Sequence, residues 1–167
     1  MKRSLLPLIR KIRLAVFDFD GVFTDNRVIV SDDGKESVVC CRSDGYGLRR
    51  LESAGVRPLI LSTEPSRVVL QRARKLKVEC LHGIADKFTE LRRLARRARI
   101  DMREIAYVGN DINDAECLKA VGLPVVVHDA WPEVRPLAKW VLARDGGRGA
   151  VREFADEVWE ARRSSHG

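Results

Sequence analysis

Leu14-Ala15-Val16-Phe17-Asp18-Phe19-Asp20-Gly21-Val22-Phe23-Thr24-Asp25 is the stretch on which the fold turns. The run Ile12 to Phe19 is rich in β-formers, reads as a strand, and ends in acids. Asp18, Asp20 and Asp25 then fall within eight residues. On an extended backbone Asp18 and Asp20 share a face. Two like charges that close repel strongly unless a cation lies between them. Hard oxygen donors, few in number, suit Mg²⁺, which keeps its waters and also binds phosphate. A carboxylate beside such a cation can attack phosphorus and form an acyl-phosphate. An acidic turn capping a strand is the plainer alternative, but four apolar residues directly before Asp18 argue against it.

Outward from this stretch, short β-like runs alternate with longer helical ones. Arg27–Ser31 and Ser37–Cys41 flank Asp32-Asp33-Gly34, a hairpin signal. Strands are expected at Arg57–Leu61, Val78–Leu81, Ile105–Val108, Leu123–Val127 and Trp140–Ala143. Helices are expected at Gly45–Ala54, Ser66–Lys75, Asp86–Arg99, Asp114–Val121, Trp131–Leu137 and Ala150–Arg163, with the residues from Arg162 onward frayed. This alternation predicts an α/β domain with a parallel sheet and helices on both faces. In such folds ligands gather at the carboxyl ends of strands. The loops after Phe17, Leu61 and Val108 should therefore converge.

Three further groups follow strands or open helices. Gly109-Asn110-Asp111-Ile112-Asn113-Asp114 could close the far side of the same metal site, or simply form a turn with an Asx cap. The hydroxyls of Ser62-Thr63 could donate to a phosphate oxygen beside free N–H groups at a helix start, or act as an ordinary cap. Lys87 heads a helix, where a cation opposes the dipole, so its placement asks for a reason such as neutralising phosphate or carboxylate.

Composition excludes several classes. The chain has 167 residues, 31 Lys and Arg against 24 Asp and Glu, and a net charge of +7. That length suits one domain over 1–167 with a sizeable core. No apolar run approaches the roughly 20 residues that cross a bilayer. The basic opening is broken by Pro7, Arg10, Lys11 and Arg13, so it does not read as a signal peptide, and a cytoplasmic location is expected. Cys40, Cys41, Cys80 and Cys117 show no metal spacing and read as free thiols. The basic stretch Arg92–Arg103 carries apolar residues at helical spacing and no interleaved aromatics. It reads as a solvated helix face, not a nucleic-acid surface, and its field favours anionic small substrates.

In order along the chain, the Asp18–Asp25 motif, the Ser62 hydroxyl, Lys87 and Gly109–Asp114 resemble the haloacid dehalogenase superfamily of phosphotransferases. The resemblance runs from Leu14 to about Glu153 and includes Ser43–Gly47 and Gly146–Glu153. It is to the small, capless branch that contains phosphatases of 3-deoxy-D-manno-octulosonate 8-phosphate and of nonulosonate 9-phosphates. C-terminal domains of acylneuraminate cytidylyltransferases are similar too. The resemblance implies a Rossmann-like sheet with a protruding hairpin at about 26–42 and no cap domain. It implies Asp18 as nucleophile and Asp20 as general acid/base. Mg²⁺ would be held by Asp18, the Asp20 carbonyl and Asn110 or Asp111, and the phosphoryl group by Ser62 and Lys87. Sugar-acid contacts are expected among Asp25, Thr63, Glu64 and Arg72, and from Arg148 in a neighbour's site. Thr63-Glu64 is closer to the nonulosonate phosphatases, since octulosonate phosphatases tend to carry Gly-Arg there. Hairpins in this branch build a homotetramer in which a neighbour helps close each site. Asn110 stands where most active relatives have Asp, which weakens metal binding and leaves a non-catalytic tetramerising module as the alternative.

Overall fold

The computed structural model describes residues 3–164. The apolar run at the start of the chain forms β1 (Leu14–Phe17), whose four residues are all buried. β1 is the centre of the fold. It pairs in parallel with β4 (Arg57–Leu61) on one side and with β6 (Ile105–Gly109) on the other. β5 (Glu79–Leu81) extends the sheet beyond β4, while β7 (Leu123–Val126) and β8 (Trp140–Val141) extend it beyond β6. The six-stranded order β5-β4-β1-β6-β7-β8 places the topological switch point at the carboxyl end of β1.

Among the described residues six α-helices cover the sheet: α1 (Leu6–Lys11), α2 (Asp44–Ser53), α3 (Arg67–Leu76), α4 (Lys87–Ala98), α5 (Ala115–Ala120) and α6 (Ala150–Arg163). Side chains alternate across the strands, so neighbours in register share a face. Phe17 faces α6, its ring 5.6 Å from Phe154, and Phe154 lies 5.5 Å from Trp140. Tyr107, level with Val16, faces the opposite side, where Asp114 and Lys87 at the head of α4 lie. Helices therefore sit on both faces, as expected, and both layers are fully buried at their centres.

Several expected boundaries shift for local reasons. The first strand is four residues long, not eight, because Ile12 ends α1 and Asp18 leaves the ladder after one last bond to the Val108 carbonyl. α1 itself was not expected. Its Pro7 sits at the first turn, where no N–H is needed, so the residue that broke the apolar run also starts a helix. The hairpin strands shrink to β2 (Ile29–Val30) and β3 (Glu36–Ser37), which pair only with each other. The expected helix Trp131–Leu137 is a 3₁₀ turn at Arg135–Leu137, and Asp114 ends a 3₁₀ turn that precedes α5. Arg162 and Arg163 do not fray. Arg162 donates 2.7 Å to the Ala54 carbonyl and also to that of Ile12, and Arg163 lies over the Trp159 ring. The rest of the expected frayed tail, from Ser165, lies outside the described residues.

The arginines of α4 project into solvent while Leu91, Leu94 and Ala95 are buried, as the spacing predicts. The four cysteines are free. No helix among the described residues is long and apolar enough to cross a membrane. Between β1 and β4 lie only the hairpin and α2, so no cap domain is inserted there.

One buried acid lies outside the motif loops. Asp44, at the head of α2, accepts from the Arg152 amide at 3.2 Å through one oxygen, while the other oxygen has no partner. Burial pushes its carboxyl up to about 7, against the pull of that amide and of Arg72 and Arg152. A folded-state value above the unfolded one means stability present at low pH and lost as pH rises from about 4 through 7. Asp44→Asn keeps the accepting oxygen and removes the titration. Its melting temperature relative to wild type is expected to rise between pH 5 and pH 8; an unchanged difference would show that Asp44 does not titrate this way.

Candidate active site

The carboxyl ends of β1, β4 and β6 bring Asp18, Ser62 and Asn110 to the floor of one cleft of about 430 Å³. Sequence spacing left these residues up to 92 positions apart; the central position of β1 is what joins them.

Asp18 is 4% exposed. Its Oδ1 accepts from the Phe19 amide at 2.7 Å and meets the Lys87 ammonium at 2.8 Å. Both contacts fall on that oxygen, so Oδ2 is the one left for the cleft. Lys87 is equally buried and reaches Asp114 Oδ1 at 2.8 Å. Asp114 has no exposed surface and also accepts from the Tyr107 hydroxyl at 2.7 Å and the Asn110 amide at 2.9 Å. Burial, and next the charge on Asp114, pushes the Asp18 carboxyl up to about 7, against Lys87. Burial alone would lower the Lys87 ammonium, but the two carboxylates outweigh it and hold it above its ordinary value. Two buried carboxylates are thus the reason for a cation at this helix start, against the helix dipole.

The turn after Asp18 is fixed by Thr24. Its Oγ1 accepts from the Gly21 and Asn26 amides and donates to Asp20 Oδ1 at 3.4 Å. Gly21 has φ +79°, and a Cβ there would fall 2.0 Å from the Asn110 amide nitrogen. Gly146 presses on the same turn from behind; a Cβ on it would fall 2.0 Å from the Gly21 carbonyl. Burial, and next the charge on Glu64, raises the Asp20 carboxyl above its ordinary value.

Ser62 is held by its own backbone, its amide on the Leu81 carbonyl and its carbonyl on the Ile84 amide. Its Oγ accepts from the Glu64 amide at 3.1 Å, which leaves the hydroxyl hydrogen to donate elsewhere. Asn110 Oδ1 is buried with no partner. Asp111 lines the cleft, but its Oδ1 caps the turn below through the Ile112 amide at 2.6 Å. The orphaned Asn110 oxygen, Asp18 and the backbone of the Asp20 turn therefore fit a hard cation. No cluster of three or more His, Cys, Asp or Glu side chains set for a metal occurs among the described residues.

Not every expected residue reaches the cleft. Thr63 and Glu64 line it. Asp25, Arg72 and Arg148 do not. Asp25 is bonded to Arg27, Arg72 donates to the Cys41 carbonyl at 2.8 Å, and Arg148 is exposed on the loop before α6. Tyr107 and Thr24 were missed. Thr24 lay inside the quoted motif, whereas a tyrosine in an apolar strand carried no signal that its hydroxyl met a buried acid.

A family model for haloacid dehalogenase-like hydrolases matches residues 52–153. The 3-deoxy-D-manno-octulosonate 8-phosphate phosphatase of Yersinia pestis is 34% identical over 148 residues, 88% of this chain and 79% of that protein. A crystal structure of the Moraxella catarrhalis phosphatase of the same name, in complex with a magnesium ion, phosphate and KDO, has TM-score 0.93. It is 27% identical and the match covers 98% of this chain and 95% of that one. The cobalt-bound Haemophilus influenzae deoxy-D-mannose-octulosonate 8-phosphate phosphatase has TM-score 0.89 at 28% identity, covering 95% and 93%. This chain belongs to the haloacid dehalogenase-like hydrolases. Within them it falls in the branch of the 3-deoxy-D-manno-octulosonate 8-phosphate phosphatases.

Removing Lys87 would leave two carboxylates facing each other in a buried site. Lys87→Met is expected to cost about 3–5 kcal/mol in urea unfolding without divalent cations, the range for breaking a buried pair. A loss below about 1 kcal/mol, as for a surface pair, would show that the ammonium is not what holds this site together.

Proposed function

We propose that the chain is a Mg²⁺-dependent phosphatase of sugar-acid phosphates, acting as one catalytic domain. The observation that carries this reading is Asp18, pinned through one oxygen by Lys87 and the Phe19 amide with the other left to the cleft. Ser62 and Lys87 bind the transferring phosphoryl group, the hydroxyl by its free hydrogen and the ammonium by its remaining donor. Asp18 attacks phosphorus, and the bond to the sugar oxygen breaks as Asp20 gives that oxygen its proton. Asp20, now a carboxylate, takes a proton from the water that attacks the aspartyl-phosphate, which releases phosphate and restores Asp18. Burial shifts the Asp20 carboxyl in the direction an acid needs for the first step. Asp18, the Asp20 carbonyl and Asn110 would hold Mg²⁺, and Asp111 would support them. The cation supplies charge neutralisation at the phosphoryl oxygens. Asp114 and Tyr107 orient Lys87 and the Asn110 turn.

The substrate class rests on the relatives named above and on Glu64 at the cleft. We assign either a nonulosonate 9-phosphate or 3-deoxy-D-manno-octulosonate 8-phosphate. Phosphate release from a panel of these compounds is expected with Mg²⁺ and lost on chelation. Asp18→Asn should fall to background and Asp20→Asn by about 10²–10⁴-fold. Equal release by wild type and Asp18→Asn would remove the enzyme reading and leave the non-catalytic module.

The hairpin exposes Val28, Ile29, Val30 and Val39, each more than half accessible. An apolar patch of this kind calls for a partner. We propose that hairpins from neighbouring copies pack there to build a homotetramer. Sedimentation should give four chains for wild type and a smaller species for Ile29→Lys; a wild-type monomer at micromolar concentration would overturn the assembly.

A further inference from the structure

We propose that Asp129 is a positioning residue for phosphoryl transfer, acting through the turn that carries Asp20. The inference rests on the phosphatase reading and deepens it. In that reading the Asp20 carboxyl protonates the ester oxygen as its bond to phosphorus breaks, and the Asp20 carbonyl would face the cation. The turn must therefore hold two groups in place at once. Two neighbours press on it through backbone. A Cβ on Gly21 would fall 2.0 Å from the Asn110 amide nitrogen, so the turn lies flat against the loop after β6. A Cβ on Gly146 would fall 2.0 Å from the Gly21 carbonyl and 2.9 Å from that of Thr24, so the loop after β8 lies flat against the turn. Gly147, at φ +66°, donates to the Val22 carbonyl at 3.1 Å, and a Cβ there would fall 2.5 Å from the Asp25 amide. Thr24, whose hydroxyl bonds Asp20, belongs to the same turn.

Asp129 fixes the second of these neighbours. Two glycines in succession restrain their own backbone weakly. The Gly146 amide finds its acceptor in Asp129 Oδ1, 2.9 Å away, and a carboxylate makes the stronger kind of hydrogen bond. Asp129 stands on the loop after β7, and that loop also holds the first neighbour. There the Trp131 amide donates to the Asn110 carbonyl at 2.9 Å and the Val127 amide to the Gly109 carbonyl at 3.3 Å. The His128 amide donates to the Arg144 carbonyl at 3.1 Å and joins the loops after β7 and β8. One carboxylate thus closes a ring of contacts that runs from Asn110 through Asp129 and Gly146 to Gly21, and back to Asn110. The ring sets the spacing of the two motif loops that would share the cation. Asp129 is not on the cleft wall, so it works without touching substrate. It is exposed, so replacing it removes this bond and disturbs little of the core.

The test uses the full chain with saturating Mg²⁺ and two esters. One is the sugar-acid phosphate of the panel above that wild type hydrolyses fastest, and the other is p-nitrophenyl phosphate. A sugar oxygen needs the proton of Asp20 to leave, whereas p-nitrophenolate leaves as a stable anion. The readout is kcat/KM, which covers the steps up to the first phosphoryl transfer. Asp129→Ala should lower it about tenfold to a hundredfold on the sugar ester, the cost of a misplaced group, and less than about threefold on p-nitrophenyl phosphate. Asp129→Asn keeps the accepting oxygen and should recover most of the loss. An equal fall on both esters, or no fall on the sugar ester, overturns the proposal and leaves the phosphatase reading intact. If wild type releases no phosphate from the panel, the phosphatase reading fails, and amide hydrogen exchange over residues 19–25 decides on Asp129. Faster exchange in Asp129→Ala, restored in Asp129→Asn, supports its hold on the turn, and unchanged exchange overturns it.

Discussion

The ammonium of Lys87, 2.8 Å from Asp18 and 2.8 Å from Asp114, ties together three segments far apart in the chain. Asp18 directly follows β1, Asp114 ends the turn after β6, and Lys87 opens α4 on the sheet's face. Two buried carboxylates without that cation would repel across a medium that screens poorly. With it, Asp114 is free to spend its other oxygen on the Asn110 amide, and the metal-facing turn takes its shape from that bond. The charge left over is negative and sits under the cleft. A site with surplus buried negative charge is matched to a cation, and through a cation to a phosphoryl group.

Around this centre the cleft is asymmetric. The floor is rigid, built from strand ends and backbone hydrogen bonds. The upper wall comes from the hairpin and the loop after β4, where Glu36, Glu64 and Arg27 stand. The hairpin does two jobs in this picture. Arg27 and Glu36 line the cleft, and the hairpin arms expose valines and an isoleucine that a neighbouring copy would cover.

Much of the site was readable in advance because its chemistry is local. Asp18 and Asp20 lie in one short motif, and the apolar strand before them announces burial. Ser62, Lys87 and Asn110 each sit one or two residues past a strand or at a helix start, positions the parallel-sheet rule marks out. Spacing did not settle where the arginines point. Arg72 has the right spacing along α3 to face a substrate, yet its guanidinium turns to the Cys41 carbonyl. Arg27 looked like a hairpin residue and lines the cleft instead. Long side chains have several rotamers and their direction is settled by distant neighbours, which periodicity does not encode. Helix α1 escaped for a related reason: six residues with a proline carry too little periodicity, and packing on α6 secures them.

By itself, the sequence determined the α/β class, the order of strands and helices, and the carboxylates and hydroxyl that follow the strands. Those features depend on local periodicity and on which residues can end a strand. The tertiary structure decided the rest. The position of β1 between β4 and β6 brought Asp18, Ser62 and Asn110 together, burial raised the Asp18 carboxyl, and the fold chose which arginine faces the cleft. These are consequences of which segments become neighbours, and a linear pattern carries no distance between residues far apart in the chain.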